Sequence, residues 1–247
     1  MRLTVLGGCG GFPEPGGACS GYLLESGDFR LLIDPGYATL PRLSTIMPPA
    51  QVDAVLITHG HPDHCADLNP LLRARILQDP PAPALPVFAL PGATDAVLAL
   101  DGPGMLEKGY RLRESVGGDS FGVGPLRIET RLLPHFVPNA GVRVISDDGV
   151  FSYTGDCGPS EAVLELARGA DLFLAEATYV EHVPEGNAPY LSSALQAGRI
   201  AARAGVRRLL LTHLWPGTDV ATAQKAAAKE FSGPITVARA GLSTQVG

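Results

Sequence analysis

The chain has 247 residues, 45% of them hydrophobic, and a formal net charge of −6. This length suits one large α/β domain or two small ones, and the hydrophobic fraction can fill a core, which excludes disorder as the main state. The acidic balance excludes a general attraction for a phosphate backbone, because the longest basic cluster is only Arg207 and Arg208.

The first half of the chain contains short apolar runs that end in Gly, Asp or His and alternate with amphipathic segments. We expect strands at residues 2–6, 20–26, 29–34, 52–59 and 86–90, and helices at residues 66–77 and 93–100. The proline-dense stretch 78–92 encloses the last of these strands, so we interpret it as a loop with an embedded strand.

The second half continues the alternation. We expect strands at residues 126–134, 141–146, 149–156, 170–177, 206–213 and 235–239, and helices at residues 160–169, 192–205 and 219–231. Several helices open on Asp or Ser and end at Gly, as helix capping predicts. Hairpin-like strands at the start and strand-helix units at the end favour two sheets packed between helices over one doubly wound sheet.

Neither the start of the chain nor its cysteines indicate export. The apolar stretch in MRLTVLGGCGGF is too short for a signal peptide, and nowhere do eighteen apolar residues run together. We therefore expect a cytoplasmic protein with no membrane partner. Cys9, Cys19, Cys65 and Cys157 form no C-x-x-C pair, and at least three of them are expected to be small buried hydrophobic residues.

The sequence THGHPDH, residues 58–64, places three histidines around an aspartate directly after a predicted strand. His59 and His61 lie two residues apart, so on an extended strand end their imidazoles point to the same side and can bind one ion. Pro62 forces a turn, after which Asp63 and His64 can face a second ion. Imidazole and carboxylate ligands suit a borderline divalent metal such as zinc, and manganese or iron are also compatible.

Three more candidate ligands stand at the ends of other predicted strands, namely His135, Asp156 and His213. A lone histidine at a strand end is more often a structural hydrogen-bonding residue. Five of the six histidines lie at such ends, and this concentration indicates a metal centre in a cleft at the sheet edge.

In chain order, HGHPDH, a later His, TGD and LTH resemble the metallo-β-lactamase superfamily of hydrolases. LGGCGGFPEPGGACSGYLLESGDFRLLIDPG, YTGDCGPSEAVLELARGADLFLAEATY and AARAGVRRLLLTHL resemble its ribonuclease Z and small-phosphodiesterase branch. The resemblance covers most of the chain. It implies that residues 1–247 form a single hydrolase domain of the α/β class, a four-layer αββα sandwich.

The same resemblance implies two divalent metal ions, with zinc expected. His59, His61 and His135 would bind one ion, Asp63, His64 and His213 the other, and Asp156 would bridge them. A hydroxide that bridges the ions would be the nucleophile. The charges of two divalent ions exceed those of two aspartates and one hydroxide, so the site would attract a small anionic substrate.

Further roles follow from the resemblance. Asp63, Glu176 and Tyr190 are the expected catalytic residues. The branch usually has a histidine, paired with the glutamate, where this chain has Tyr190, and a tyrosine is a poorer acid at neutral pH. His182 is an alternative acid, or an exposed loop histidine.

Two positions next to these motifs have open interpretations. Asp34, in LLIDPG, matches an aspartate that would hold a metal-ligating imidazole, although a turn-forming aspartate before Pro and Gly fits equally. Cys157 follows Asp156 and is expected to pack beside the metals rather than to bind them. The glycine-rich GGCGGFPEPGG is expected to be a mobile loop over the metal cleft.

The substrate expected from the sequence is a small phosphodiester such as a cyclic nucleotide. Enzymes of the branch that mature transfer RNA carry an added arm, whereas residues 136–155 have room only for two strands, so long nucleic acid is not the expected substrate. The alternatives are a carboxylic ester, lactone or thioester hydrolase, a tRNA 3′-processing endonuclease, and a non-catalytic sensor that keeps the metals. A homodimer is expected by analogy alone.

Overall fold

The computed structural model describes residues 1–115 and 117–247. Its strands are β1 (Arg2–Gly7), β2 (Gly21–Ser26), β3 (Phe29–Ile33), β4 (Ala54–Leu56), β5 (Leu85–Ala89), β6 (Tyr110–Glu114), β7 (Ser120–Val123), β8 (Leu126–Leu133), β9 (Asn139–Ser146), β10 (Gly149–Tyr153), β11 (Leu172–Glu176), β12 (Leu209–Thr212), β13 (Ile235–Val237) and β14 (Ser243–Gln245). Its helices are α1 (Thr39–Ile46), α2 (Pro62–Cys65), α3 (Leu68–Leu77), α4 (Asp95–Leu98), α5 (Glu161–Ala167), α6 (Ala194–Ala204) and α7 (Val220–Ala228), with a 3-10 turn at Pro49–Gln51.

The strands form two mixed sheets of seven strands each. The first has the order β14-β1-β2-β3-β4-β5-β6 and the second the order β13-β12-β11-β10-β9-β8-β7. Each sheet has an antiparallel part and a parallel part, and the parallel neighbours β3-β4-β5-β6 and β10-β11-β12-β13 need crossover connections. Helices α1 to α4 lie in the crossovers of the first sheet and α5 to α7 in those of the second.

Three apolar clusters separate the layers. One lies between the sheets and includes Leu24, Ile33, Val142, Phe151 and Leu174. A second joins the first sheet to α1, α3 and α4, and a third joins the second sheet to α5, α6 and α7. The layers are therefore helix, sheet, sheet, helix, and the predicted αββα sandwich is confirmed.

Burial on both faces explains why the central strands appear in the sequence as continuous apolar runs. In β2, Tyr22 and Leu24 face the other sheet while Leu23 faces the helices. A strand that is covered on both sides needs apolar residues at every position, so the alternation typical of a half-exposed strand is missing.

Four elements were not predicted from the sequence: α1, β6, β7 and β14. Each of the three strands is an outermost strand of its sheet, and β6 buries little of its YRLRE segment. Strands at a sheet edge need no continuous apolar face, so hydrophobicity does not mark them. Helix α1 buries only Thr39 and Leu43, which leaves a weak helical pattern.

The other predicted elements are present, most with shorter bounds, whereas β1 and β9 are longer than expected; the strand embedded in the proline-dense stretch is β5. The turn expected at Pro62 is the short helix α2. Among the described residues, no helix combines the length and the apolar character needed to cross a bilayer.

Candidate metal centre

The candidate ligands meet where both sheets end. His59 comes three residues after β4 and His213 directly after β12, in the two different sheets. His135 and Asp156 follow β8 and β10 in the second sheet. Short connections therefore hold each side chain at the same edge, and the turn after His59 adds His61, Asp63 and His64 to the cluster.

The first group consists of His59, His61, His135 and Asp156. His61 Nδ1 lies 3.1 Å from both His59 Nε2 and His135 Nε2. Asp156 Oδ2 lies 3.9 Å from the Nε2 atoms of His59 and His135. Four ligand atoms thus surround one small volume, with all of them within 4.8 Å of one another.

The second group consists of Asp63, His64, Asp156 and His213, all of them buried. His213 Nε2 lies 3.1 Å from both Asp63 Oδ2 and Asp156 Oδ2. His64 Nε2 lies 3.3 Å from Asp156 Oδ1 and 3.6 Å from Asp63 Oδ2. Asp156 belongs to both groups, so its carboxylate is placed between the two candidate ion positions.

Two observations show that these residues fit divalent cations. His64 Nε2 and Asp156 Oδ1 face each other, yet both are buried without a hydrogen-bond partner among the described residues. In the first group, imidazole nitrogens converge at 3.1 Å, close to the separation of about 3.3 Å that tetrahedral zinc with bonds of about 2.0 Å imposes on its nitrogen ligands. A cation would satisfy both sets of lone pairs.

The outer nitrogens of four histidines are already bonded, and that of His59, Nδ1, lies 3.1 Å from Thr58 Oγ1. His64 Nδ1 donates to Asp34 Oδ2 at 2.8 Å, and His213 Nδ1 donates to Thr178 Oγ1 at 2.9 Å. His135 Nδ1 donates to the carbonyl oxygen of Tyr190 at 3.0 Å. Such bonds fix the tautomer, so that the lone pair on Nε2 is directed into the cluster.

Asp34 lies beneath the histidine loop and its side chain accepts several hydrogen bonds. Besides His64, the donors are the Thr58 amide at 2.8 Å, the Thr58 hydroxyl at 2.7 Å and the Tyr153 hydroxyl at 2.9 Å. Asp34 is fully buried and has a φ of 48°, and His213 has a φ of 58°. Left-handed backbone at non-glycine residues is costly and is typical of functional sites.

The protonation tendencies differ between the two groups. Burial lowers the pKa of His59, His61 and His135, so these imidazoles favour the neutral form that binds metal. Burial also acts to lower the pKa of His64 and His213, but the carboxylates around them together outweigh it and raise both, Asp156 with Asp34 at His64 and Asp156 with Asp63 at His213. Burial alone would raise the pKa of Asp156, yet the charges of His213 and His64 hold it well below the usual range.

Glu176 ends β11 but does not enter either group of ligand atoms. Its carboxylate accepts hydrogen bonds from the amide and hydroxyl of Thr178 and from the amide of Ser192. Burial raises its pKa to about 8, with a further rise from Asp156. The Thr178 hydroxyl therefore connects Glu176 to the outer nitrogen of His213.

The other predicted residues lie outside the ligand groups. Tyr190 is 37% exposed and its ring packs on Phe136 with centroids 4.7 Å apart, and among the described residues its hydroxyl has no bond to the cluster. His182 is exposed and has no contact with the cluster in the described part of the chain. The thiol of Cys157 is buried and belongs to neither group.

The glycine-rich segment lies over the cleft, as expected. The Gly11 amide donates to Asp63 Oδ2 at 2.9 Å. A Cβ at Gly10 would lie 2.7 Å from the His213 carbonyl oxygen and 2.8 Å from His213 Nδ1. Glycine at this position lets the backbone approach the histidine closely.

Sequence reasoning did not identify the supporting residues Thr58, Tyr153, Thr178 and Gly11. A weak signal was present, because ITH places Thr58 next to His59 and EAT places Thr178 two residues after Glu176. Tyr153 had no such signal, since a tyrosine within a strand is usually a core residue.

Comparison with known proteins gives a consistent assignment. The family described as "Beta-lactamase superfamily domain" matches residues 29–214. An uncharacterized protein of Mycobacterium leprae is 36% identical over 95% of this chain and 85% of its own length. The probable metallo-hydrolase YhfI of Bacillus subtilis is 31% identical over 98% of both chains, and ribonuclease Z of Mycobacterium bovis is 29% identical over 96% of this chain and 95% of its own length.

Solved structures share the fold over nearly the whole chain. The crystal structure of YhfI from Bacillus subtilis covers 98% of both chains with a TM-score of 0.89 and 30% identity. The short form of human tRNase Z, at 20% identity, covers 100% of both chains with a TM-score of 0.79. The chain therefore belongs to the metallo-β-lactamase superfamily, among its metal-dependent hydrolases.

Proposed function

We propose that residues 1–247 form a single hydrolase domain that cleaves a small anionic phosphodiester such as a cyclic nucleotide. The observation that carries the proposal is the position of Asp156 between two groups of ligand atoms. Paired divalent ions suit phosphodiester hydrolysis, because they can stabilise both the attacking and the leaving oxygen of an in-line displacement.

The proposed ligands of one ion are His59, His61 and His135, those of the other are Asp63, His64 and His213, and Asp156 is shared. The donor set suits zinc and is compatible with manganese or iron. Two bound divalent ions would supply a hydroxide from water near neutral pH and stabilise the charge that develops on the phosphoryl oxygens.

The chain's own residues orient this site. Asp34 and Thr178 hold the outer nitrogens of His64 and His213, and the Tyr190 carbonyl holds that of His135. We propose Asp63 as a catalytic ligand and Glu176 as a positioning residue that acts through Thr178. The Tyr190 hydroxyl is the proposed hydrogen-bond donor to the leaving group, which a Tyr190→Phe variant tests through kcat.

The segment between His135 and Asp156 supports a small substrate. Strands β9 and β10 occupy it and pair with each other through the tight turn at residues 147–148. This segment therefore adds no arm for gripping a folded RNA, and the net charge of −6 gives no general attraction for one.

The experiment measures metal content by elemental analysis on protein purified without chelator, together with turnover of bis(p-nitrophenyl) phosphate and 3′,5′-cyclic AMP. The expected result is about two ions per chain together with diester turnover. The Asp156→Asn variant should lose both the bound metal and the turnover. Turnover of a lactone or thioester panel without diester turnover would transfer the assignment to carbonyl hydrolysis. Bound metal with no turnover in this chain, but with turnover gained in Tyr190→His, would indicate a metal-bound ligand sensor instead of an enzyme.

A further inference from the structure

Exposed aromatic side chains concentrate around the candidate metal centre. Within the described residues, those that are large and exposed are Phe12, Tyr37, Phe136, Tyr190 and Trp215. Each lies in a loop that carries a proposed ligand or a residue bonded to one. The other large exposed hydrophobic side chains are aliphatic, so it is aromatic surface that concentrates around this cleft, and this indicates a binding surface.

Of these aromatic residues, Trp215 is the nearest in sequence to a ligand of the second group. It follows His213 by two residues and is half exposed. A Cβ at Gly11 would lie 3.3 Å from Trp215 Cζ3, and the Gly11 amide is bonded to Asp63. The indole therefore packs on the backbone turn that touches a proposed metal ligand.

Phe12 holds this indole in a defined orientation. The two rings are perpendicular, with centroids 5.7 Å apart. An edge-to-face contact uses the face of only one ring of the pair, so aromatic surface remains for another planar group. Phe136 and Tyr190 differ, because their rings are tilted by only 37° at 4.7 Å and already cover each other.

Trp215 also forms part of the wall of a cavity of about 460 Å³. Binding sites for small molecules commonly have volumes in this range. The wall is completed by the glycine-rich segment, the loop before α7, Arg42 of α1 and the residues after β13, including Arg239. The cavity thus lies directly beside the turn that covers the metal centre.

The two acidic side chains on the cavity wall bond to backbone amides, so one guanidinium on the wall has no ionic partner among the described residues. Glu14 accepts from the Gly217 amide and Asp219 caps α7 by accepting from the Thr222 amide. Within the described part of the chain, the Arg239 guanidinium has no hydrogen bond or ion pair, and only the backbone carbonyl of this residue is bonded, to the Leu242 amide. It can therefore donate to the carbonyl or ring-nitrogen acceptors of a planar heterocycle.

From these contacts we infer that Trp215, oriented by Phe12, is the stacking surface for the nucleobase of the substrate. The base lies against the indole at the cavity mouth, with the Arg239 guanidinium as its donor. The sugar and phosphate then extend across the Gly10–Phe12 turn toward Asp63 and His213. This inference rests on the proposed phosphodiesterase function and makes the pair Phe12 and Trp215 determinants of substrate specificity.

The chain has a single tryptophan, so its fluorescence reports on this surface directly. Adenosine 5′-monophosphate and ribose 5-phosphate, which differ only in the base, are titrated into the metal-loaded protein with excitation at 295 nm. Saturable quenching by adenosine 5′-monophosphate alone is the expected result. Phe12→Leu should weaken that binding by at least about fivefold, the lower end of what base stacking contributes. Equal responses to both ligands would overturn the inference.

Steady-state kinetics provide the second measurement. Trp215→Ala should raise KM for 3′,5′-cyclic AMP by at least about fivefold with little change in kcat, because stacking binds the base without touching the reacting phosphate. Trp215→Phe should restore most of the loss. The matched control is Leu77→Ala, which removes a side chain that is 63% exposed at the end of α3 and should leave KM unchanged.

The two measurements separate this inference from the proposed function. The fluorescence titration needs no turnover, so base-dependent quenching in a protein that cleaves no diester would keep the subsite and refute the phosphodiesterase. Diester turnover with an unchanged KM in Trp215→Ala and no base-dependent quenching would refute the subsite alone.

Discussion

Individual hydrogen bonds decide how the candidate ligands are presented. Thr178 is the clearest case, because its hydroxyl both donates to Glu176 and accepts from His213 Nδ1. A histidine whose outer nitrogen is fixed in this way loses little orientational freedom when it binds a metal. Thr178 and Glu176 therefore act on the metal centre without belonging to it.

Thr178→Val keeps the shape of the side chain and removes this connection. We expect zinc affinity to fall about 10- to 100-fold, as is typical when an outer partner of a ligating histidine is lost. Competition titration with a chromogenic chelator measures the change. The matched control is Thr4→Val in β1, which removes a buried hydroxyl that is bonded to Ser243 of β14. An equal loss of zinc affinity in both variants would contradict the proposed role of Thr178.

The reactivity of each cysteine thiol depends on how deeply that thiol is buried. Burial raises the pKa of all four thiols, to about 12 for Cys19 and Cys65 and well above the ordinary value for Cys157, but Cys9 is only partly buried and reagents can reach it. The thiolate is the reactive form. We therefore expect iodoacetamide at pH 8 to modify Cys9 alone in the native protein, and all four thiols in urea.

Raising the pH from 8 to 9.5 should accelerate the modification of Cys9 and leave the other three protected, because their folded pKa values remain above that range. Mass spectrometry of the alkylated peptides measures each site. A second thiol that reacts in the native protein as fast as Cys9 would contradict this reading of the core.

The loops between elements bring the ligands together, and their small residues set the distances. The glycine-rich segment after β1 packs on two of them, with the Gly11 amide on Asp63 and Gly10 against His213. A similar approach occurs at Gly36, where a Cβ would lie 1.8 Å from the carbonyl oxygen of Asp63. The strands position the ligand loops, and glycines allow neighbouring loops to pack against them.

Gly10→Ala introduces a methyl group 2.8 Å from His213 Nδ1. The imidazole must then move and the Thr178 bond is lost, so we expect kcat for bis(p-nitrophenyl) phosphate to fall at least about tenfold while circular dichroism remains native. Gly186→Ala is the control, because its Cβ would meet no atom within 4 Å. Unchanged turnover in Gly10→Ala would show that the glycine segment does not constrain His213.

Across the whole protein, the buried polar groups concentrate at one edge of the sandwich. Asp34, Asp63, Asp156 and Glu176 are all buried there, beside five histidines. Carboxylates crowded in this way repel one another unless cations offset their charge. Metal binding is therefore expected to contribute to the stability of the entire fold.

Removal of metal by EDTA should lower the melting temperature. Ions present at about 100 times their dissociation constant contribute about 2.7 kcal/mol, which corresponds to about 5–10 °C for a chain of this size. Differential scanning fluorimetry measures the shift, and added zinc should reverse it. Asp156→Asn supplies the control, since a chain that no longer binds the ions should melt at the same temperature with and without EDTA.

Much of the fold could be predicted because local patterns report burial. The continuous apolar runs of β2, β3, β11 and β12 exist because both sheet faces are covered, and capping residues mark α5, α6 and α7. The edge strands β6, β7 and β14 were missed for the same reason, since strands with one free edge and exposed side chains are not constrained to be apolar.

The sequence also identified the candidate ligands, because histidine and aspartate at strand ends are conspicuous in a chain with few histidines. It left two interpretations of Asp34 open, between which the bond from His64 decides, and it did not identify Thr178 and Gly11 as partners of His213 and Asp63. Side-chain partners of this kind depend on how loops from separate strands pack, and no local pattern encodes that.

The amino-acid pattern was sufficient for the layers of the sandwich and for the chemistry of the ligands, because periodicity and residue type act over a few neighbouring positions. The packed chain brought the side chains of each expected group together, placed Asp156 within reach of both groups, and placed Trp215 beside Gly11. These are contacts between distant parts of the chain, such as Asp63 with His213, 150 residues apart. Only the packing of the two sheets against each other brings such residues within bonding distance.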